Sequence, residues 1–367
     1  MNHTSVFISI AATVLAAAVV FSGVRPVSLQ KEREHAAAFT SSVSSTGGYR
    51  RGKILSEENK LLVSTKTSFA GDGSEQAWRE MDPAAAEVFS GLIGTFTGGI
   101  DQNLEAILRS QNPTPTNDET GQSVQLTVSL DDSTALHQYL TVHRITAGMV
   151  ISEADGAIHA IVSTPSFDQN RYRISERYRA SLTQTASLKY LPFAEMEMPE
   201  EILRPLLDAR FGGELPGASL LNACLRDEMG LDACTECDFG TLHPEHDAVS
   251  GRIRCHIVQL GTLLSAMAGS TGDVYRPYLA ARTVDSVSGA VVTETQPHVL
   301  GTIRGAASIT LPPQAVFETE EGWLLYAYEE ASQRTAVMTI CDTGFDGIET
   351  QEDALACFTA ALETIAW

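Results

Sequence analysis

The stretch Asp155–Asn170, DGAIHAIVSTPSFDQN, constrains the fold of this chain more than any other. Asp155-Gly156 is a strong two-residue turn signal, because glycine accepts the positive φ that a tight hairpin turn demands. It lies between two β-rich runs, Gly148–Ile151 and Ala157–Val162, so the pattern predicts an antiparallel hairpin that ends in the turn-forming sequence TPSFD.

The flanking segments extend this reading. Upstream, Val124–Leu130 alternates like a strand, and Asp132 or Ser133 can cap a helix carrying Ala135, Leu136, Tyr139 and Leu140. Tyr49–Ser64, YRRGKILSEENKLLVS, predicts two short strands joined by the polar SEEN turn. Downstream, Cys255–Gly269 reads as a buried helix, and Trp323–Tyr328 and Arg334–Ile340 read as two strands. Asp353–Ile365 places Leu355, Phe358, Leu362 and Ile365 on one helical face.

With 43% apolar and 19% charged residues among 367, the chain can bury a sizeable core. A formal charge of −21 and only five lysines leave no basic stripe for phosphates, so nucleic acid is excluded as a partner. Ser5–Val24 is an uncharged run of about twenty residues, enough to cross a bilayer as one helix. No Lys or Arg precedes it, which favours a retained anchor over residues 1–24 rather than a cleaved signal. Residues 25–48 read as a polar stalk, and residues 110–121, with Pro113 and Pro115, as a linker. The flank charges Arg25, Lys31 and Arg33 taken alone place the large domain on the cytoplasmic side.

Several blocks, in order, resemble class B penicillin-binding proteins. Asp155–Asn170 resembles the sheet-opening signature of their transpeptidase domain, and Tyr49–Ser64 the opening of their pedestal domain. Gly98–Leu108 resembles a later pedestal segment, Cys255–Gly269 the "VTPLQLAxAYAAIANG" segment, and Val274–Val292 the "xxRPxLVxxVxDxxGxxV" segment. The resemblance implies an α+β transpeptidase or serine β-lactamase-like fold, an antiparallel sheet flanked by helices, over residues 122–367. It also implies a shortened pedestal domain over 49–109, and a single-pass membrane protein whose large domain is extracytoplasmic despite the basic flank.

Acyl transfer in that family uses Ser-x-x-Lys, Ser-x-Asn and Lys-Thr-Gly. The first puts nucleophile and base one helical turn apart; the others orient a proton shuttle and bind the substrate carboxylate. The only Ser-x-x-Lys here is Ser28–Lys31, in the stalk beside the apolar run. At the expected place two registers compete, and both put alanine at the nucleophile position, Ala186 or Ala194. Ser187 and Lys189 are the fallback, but two residues apart they point to different helix faces. For the second motif, counting back from Met229-Gly230 puts Gly217-Ala218-Ser219 at the Ser-x-Asn position, and Ser219 with Asn222 one turn on is a less regular candidate. No lysine follows Lys189, so Lys-Thr-Gly is absent, and the strand that should carry it, drawn from Ser308 to Glu318, contains Pro312-Pro313, which is hostile to a regular ladder. Arg304 is the nearest cationic substitute and reads as a surface loop residue.

Cys234 and Cys237 have zinc-knuckle spacing near Cys224, Cys255, His243, His246 and His256. With a single CxxC the preferred reading is free thiols, ahead of a disulfide and of zinc, so no metal or cofactor is expected. Cys341 and Cys357 read as core residues. The leading expectation is a pseudo-transpeptidase that acts as a scaffold or regulator in peptidoglycan synthesis or cell division. The resemblance implies a polytopic cell-wall glycosyltransferase or other division or elongation protein as partner, with the peptidoglycan stem peptide as a further ligand. The alternatives are an active divergent D,D-transpeptidase and an extracytoplasmic sensor of muropeptides or β-lactams.

Overall fold

The computed structural model describes residues 49–69, 71, 73, 75–93, 103–115, 120–143, 145–164, 166, 168, 170, 195–212, 217–229, 235–237, 240–242, 245–246, 253–269, 271–306, 309, 311–319, 321–341 and 348–367. The expected membrane anchor and stalk, residues 1–48, lie outside them. Among the described residues no helix is long and apolar enough to cross a membrane. The described residues divide between two units, the first holding Lys66–Trp78 and the second Tyr49–Thr65 with Arg79–Trp367.

The strands in chain order are β1 (Ile54–Leu55), β2 (Leu61–Phe69), β3 (Glu75–Met81), β4 (Ser123–Leu126), β5 (Ala147–Ser152), β6 (Ile158–Ser163), β7 (Glu195–Glu197), β8 (Thr235–Cys237), β9 (Gly240–Leu242), β10 (Glu245–His246), β11 (Ile253–His256), β12 (Asp273–Tyr275), β13 (Ala280–Val284), β14 (Val291–Glu294), β15 (Val299–Thr302), β16 (Gln314–Thr319), β17 (Gly322–Glu329) and β18 (Arg334–Cys341). The longer helices are α1 (Leu130–His143), α2 (Glu200–Phe211), α3 (Ala218–Asp227), α4 (Ile257–Ala268) and α5 (Gln351–Leu362).

The second unit is built around a five-stranded antiparallel sheet in the order β16-β17-β18-β5-β6. Its centre is the predicted hairpin: β5 and β6 pair antiparallel, and Gly156 turns between them at φ +81°. The strand pair expected at 323–340 is β17 and β18, which pair over eight residues and join the hairpin through β18 and β5. Both faces are covered. Gly148 on one face meets Leu136 and Leu140 of α1, while Gly261 of α4 faces Met149, Ile151 and Val337 on the other. Each fully buried side chain of this kind contributes about 1.5–3 kcal/mol relative to exposure.

Helix α4 is the central helix. Ile257 to Met267 are all buried, as expected for a run without charge. It begins two residues later than the pattern suggests, because Cys255 and His256 belong to β11. His256 caps it, its backbone N–H bonding the Gln259 side chain at 3.0 Å. A Cβ at Gly261 would lie 2.1 Å from Cε of Met149, so the end of that flexible side chain would have to move to admit one.

Two local boundaries differ from expectation. β4 stops at Leu126 with all four residues buried, so it reads as a central strand rather than an alternating one. Helix α1 is capped earlier than Asp132 or Ser133: Ser129 Oγ accepts the Asp132 N–H at 3.1 Å and its carbonyl accepts the Ser133 N–H at 3.1 Å. At the other end of the chain, Thr350 and Asp353 form a capping box that starts α5 at Gln351.

Thr164 and Asn170 are each tied to neighbouring segments. The Thr164 hydroxyl donates to the Ile145 carbonyl at 2.5 Å. Asn170 clamps Met81, accepting its N–H at 2.9 Å and donating to its carbonyl at 2.7 Å. A second sheet has the order β14-β13-β4-β1-β2-β3. Within it β1 and β2 form the antiparallel pair expected from the SEEN turn, with Asn59 at φ 61°, and β1 runs parallel to β4. Arg79, 6% exposed, donates from Nη1 to the Gly52 carbonyl at 2.7 Å, and Arg51 pairs with Glu105 at 2.9 Å. In the segment expected as a linker, the Asn112 side chain accepts the Ser286 N–H and Asp285 accepts the Thr114 N–H at 2.7 Å. That bond from Thr114, with those from Val287 and Ser288, holds the Asp285 carboxyl well below its ordinary pKa.

Candidate functional site

The edge strand β16 is where the family resemblance would put the carboxylate-binding motif. It starts at Gln314, directly after Pro312-Pro313, since neither proline can donate a ladder bond. The Tyr328 N–H bonds the Pro313 carbonyl at 2.9 Å. With the register Gln314 opposite Ala327, the backbone groups of Pro313, Ala315 and Phe317 therefore turn toward β17. Those of Gln314, Val316 and Glu318 turn away from it. On that outward side the Val316 carbonyl accepts a hydrogen bond from Nε2 of Gln351, at 2.8 Å, so the first residue of α5 occupies part of the edge.

Beside the start of β16 lies a cleft of about 440 Å³. One wall is α2, through Glu201, Pro205, Asp208 and Ala209; the other is Ile309, Leu311, Pro312 and Phe317. The α2 residues recur at i, i+4, i+7 and i+8, one face of a helix, while Ile202, Leu206 and Leu207 bury the opposite face. Pro205 lacks an N–H, so the Glu201 carbonyl has no helical donor. Among the described residues, the charged groups that line the cleft are two carboxylates and no cation. An anion about 5 Å from each would be repelled by roughly 3 kcal/mol per carboxylate at an effective dielectric near 20.

The nearby cations are already engaged. Arg210 donates from Nε to both oxygens of Glu228, at 2.8 and 2.9 Å, and stacks over Phe211 at 5.1 Å. Arg304 lies 3.8 Å from the same carboxylate with 71% of its side chain exposed, in keeping with a surface loop residue. Glu228 was not singled out by the sequence. It follows α3 as its last turn closes, and only the packing of α2 and α3 brings it to Arg210.

The expected nucleophile positions Ala186 and Ala194, and the fallback pair Ser187 and Lys189, lie outside the described residues, as do Ser28 and Lys31. Ser219 is exposed in the first turn of α3, and Asn222 follows in the same helix. Cys234 lies outside the described residues, and Cys237 is in β8, paired with β9. Cys224 is buried on α3 and Cys255 is buried on β11. Among the described residues no three His, Cys, Asp or Glu side chains gather to hold a metal ion. Cys357 on α5 is half-buried and accepts from the Tyr139 hydroxyl at 3.6 Å; burial pushes its thiol pKa up.

No family model matches the chain, and no curated protein matches it in sequence. Solved structures do match in fold. The chain is similar to penicillin-binding protein A from Mycobacterium tuberculosis in its imipenem acyl-enzyme complex, with a TM-score of 0.62 and 14% identity, covering 86% of this chain and 99% of that one. It is similar to the D,D-transpeptidase domain of a peptidoglycan glycosyltransferase from Eggerthella lenta, with a TM-score of 0.55 and 14% identity over 86% and 99% of the two chains. For penicillin-binding protein 3 from Mycobacterium tuberculosis in complex with ampicillin, the values are 0.56 and 13%, over 80% and 89%. The five-stranded sheet with α4 and α1 on its two faces is therefore the core of a penicillin-binding-protein transpeptidase fold.

Proposed function

We propose that this chain is a penicillin-binding-protein homologue whose transpeptidase cleft does not acylate, and that this cleft acts by binding, as part of a scaffold or regulator within a peptidoglycan-synthesis or cell-division assembly. The observation that carries the reading is the edge strand β16. It begins after Pro312-Pro313, no lysine follows Lys189 anywhere in the chain, and the adjoining cleft presents Glu201 and Asp208. A site that must hold a substrate carboxylate needs a cation there, and two carboxylates oppose it. Alanine at both registers of the nucleophile, Ala186 and Ala194, supports the same conclusion.

On this reading residues 1–24 anchor the protein in the cell membrane, residues 25–48 form a stalk, and the large domain lies outside the cytoplasm. A polytopic glycosyltransferase engages the anchor and the segment 49–109, and a linker over 110–121 leads into the transpeptidase-like domain.

The test is exposure of the full-length chain to fluorescent penicillin, followed by denaturing electrophoresis. No covalent band is expected, and neither Ala186→Ser nor Ala194→Ser restores one, because the carboxylate-binding strand is still without its cation. Removal of an essential nucleophile typically costs several orders of magnitude in rate. A band in the unmodified protein that disappears in Ser187→Ala would overturn the reading in favour of an active transpeptidase. Saturable protection from thermal unfolding by penicillin without a covalent band would favour the sensor.

A further inference from the structure

Away from the β16 cleft, three segments of the second unit bring a hydroxyl between two bases. Ser166 lies in the TPSFD turn, His137 in the middle of α1, and Glu87 in the helical turns that follow Met81. The Ser166 hydroxyl is 2.9 Å from Nε2 of His137 and 3.4 Å from a carboxylate oxygen of Glu87. The supports are rigid. Asn170 clamps Met81 through two backbone hydrogen bonds, and Thr164 is held to Ile145 and Thr146. Asp82 starts the turns that carry Glu87 by accepting the Ala84 N–H at 3.0 Å.

The surroundings suit a nucleophile and its base. Ser166 is half-buried and so reachable, whereas His137 is 6% exposed and held in a core helix beside Leu136 and Leu140. Burial lowers the His137 pKa, with Glu87 acting weakly against it, which leaves the imidazole neutral and able to accept a proton near pH 7. A hydroxyl within hydrogen-bond reach of a neutral imidazole on a fixed element is the arrangement that activates serine for covalent catalysis.

We propose that Ser166 and His137 form a nucleophile and general-base pair that hydrolyses small carboxylic esters. Oγ of Ser166 adds to the ester carbonyl as its proton passes to Nε2 of His137. The alkoxide then leaves with that proton, giving an acyl-serine and an alcohol. Water, deprotonated by the same imidazole, attacks the acyl-serine and releases the carboxylic acid, restoring the hydroxyl. The exposed carboxylate of Glu87 beside Ser166 selects neutral or cationic esters over anionic ones.

The test treats the full-length protein with a fluorophosphonate probe, whose phosphorus bonds to an activated serine oxygen with loss of fluoride, and maps the adduct by mass spectrometry. One adduct per chain at Ser166 is expected, absent in Ser166→Ala, and formed about 100-fold more slowly or worse in His137→Gln. Hydrolysis of p-nitrophenyl acetate should fall in the same order. Should His137→Gln lose its fold, as judged by circular dichroism, Ser166→Ala still decides, since it removes only a half-buried hydroxyl. An unmodified protein with no adduct at Ser166, or equal labelling rates in a folded His137→Gln, overturns the proposal. Penicillin labelling reports on the β16 cleft and the phosphonate on Ser166, so the two readings fail separately.

Discussion

His159 should make the protein lose stability as the pH falls below neutral. Its ring is largely buried on β6, and Nδ1 lies 3.4 Å from Nη2 of Arg334, whose Nη1 donates to the Ala366 carbonyl at 3.2 Å. Burial first, and the Arg334 charge second, lower its pKa from 6.5 to about 4. Between those values the unfolded chain binds a proton that the folded chain refuses, so stability is full above pH 6.5 and drains away toward pH 4. At about 1.36 kcal/mol per pKa unit the loss is roughly 3 kcal/mol. Neighbouring groups act elsewhere or oppositely. Glu57, whose pKa is raised by burial, gains stability as the pH falls, while Glu58, held at about 2 against burial by bonds from Ser129 and Ser56, loses its contribution only below 4.5. Urea unfolding of the full chain and of His159→Gln, followed by circular dichroism between pH 7 and pH 4.5, isolates the effect, apart from a residual coupling to Glu57 at 3.9 Å. The unmodified protein should fall with pH more steeply, by up to about 1.4 kcal/mol per unit. Equal slopes in the two proteins would refute the reasoning.

Two further substitutions probe the frame that carries the sites. Asn170→Ala removes both bonds to Met81 and leaves its backbone groups unpaired, at a cost of about 1–3 kcal/mol in chemical denaturation; a change below 0.5 kcal/mol on the same order-of-magnitude scale would show that the clamp is dispensable. Gly156→Ala puts a Cβ 2.7 Å from the Arg276 carbonyl at φ +81°. It should therefore destabilise by about 1–3 kcal/mol, and an unchanged urea midpoint would argue that this turn relaxes freely.

The parts of the fold that were readable are those whose signal is local. The Asp155-Gly156 turn, the strands around it, the run Ile257–Ala268 and the face of α5 all declare themselves through φ preference or periodicity, and the structure has each of them. Where the pattern slipped, two local signals competed. Ser129 outbid Asp132 and Ser133 as the cap because its hydroxyl reaches the Asp132 N–H, and Cys255 and His256 were drawn into β11 by pairing with Met196 and Glu195.

By itself the sequence determined the hairpin, the central helix, the order of the blocks and the missing lysine, because each depends on residue identity and short spacing. Only the tertiary structure decided that Glu201 and Asp208 share a cleft with Phe317, that Gln351 takes the Val316 carbonyl, and that Glu228 binds Arg210. It alone set Ser166 against His137 and Arg334 against His159, 29 and 175 residues apart. These are contacts between side chains far apart in sequence, whose energies depend on distance, burial and direction, and none of those quantities exists until the sheets and helices have packed.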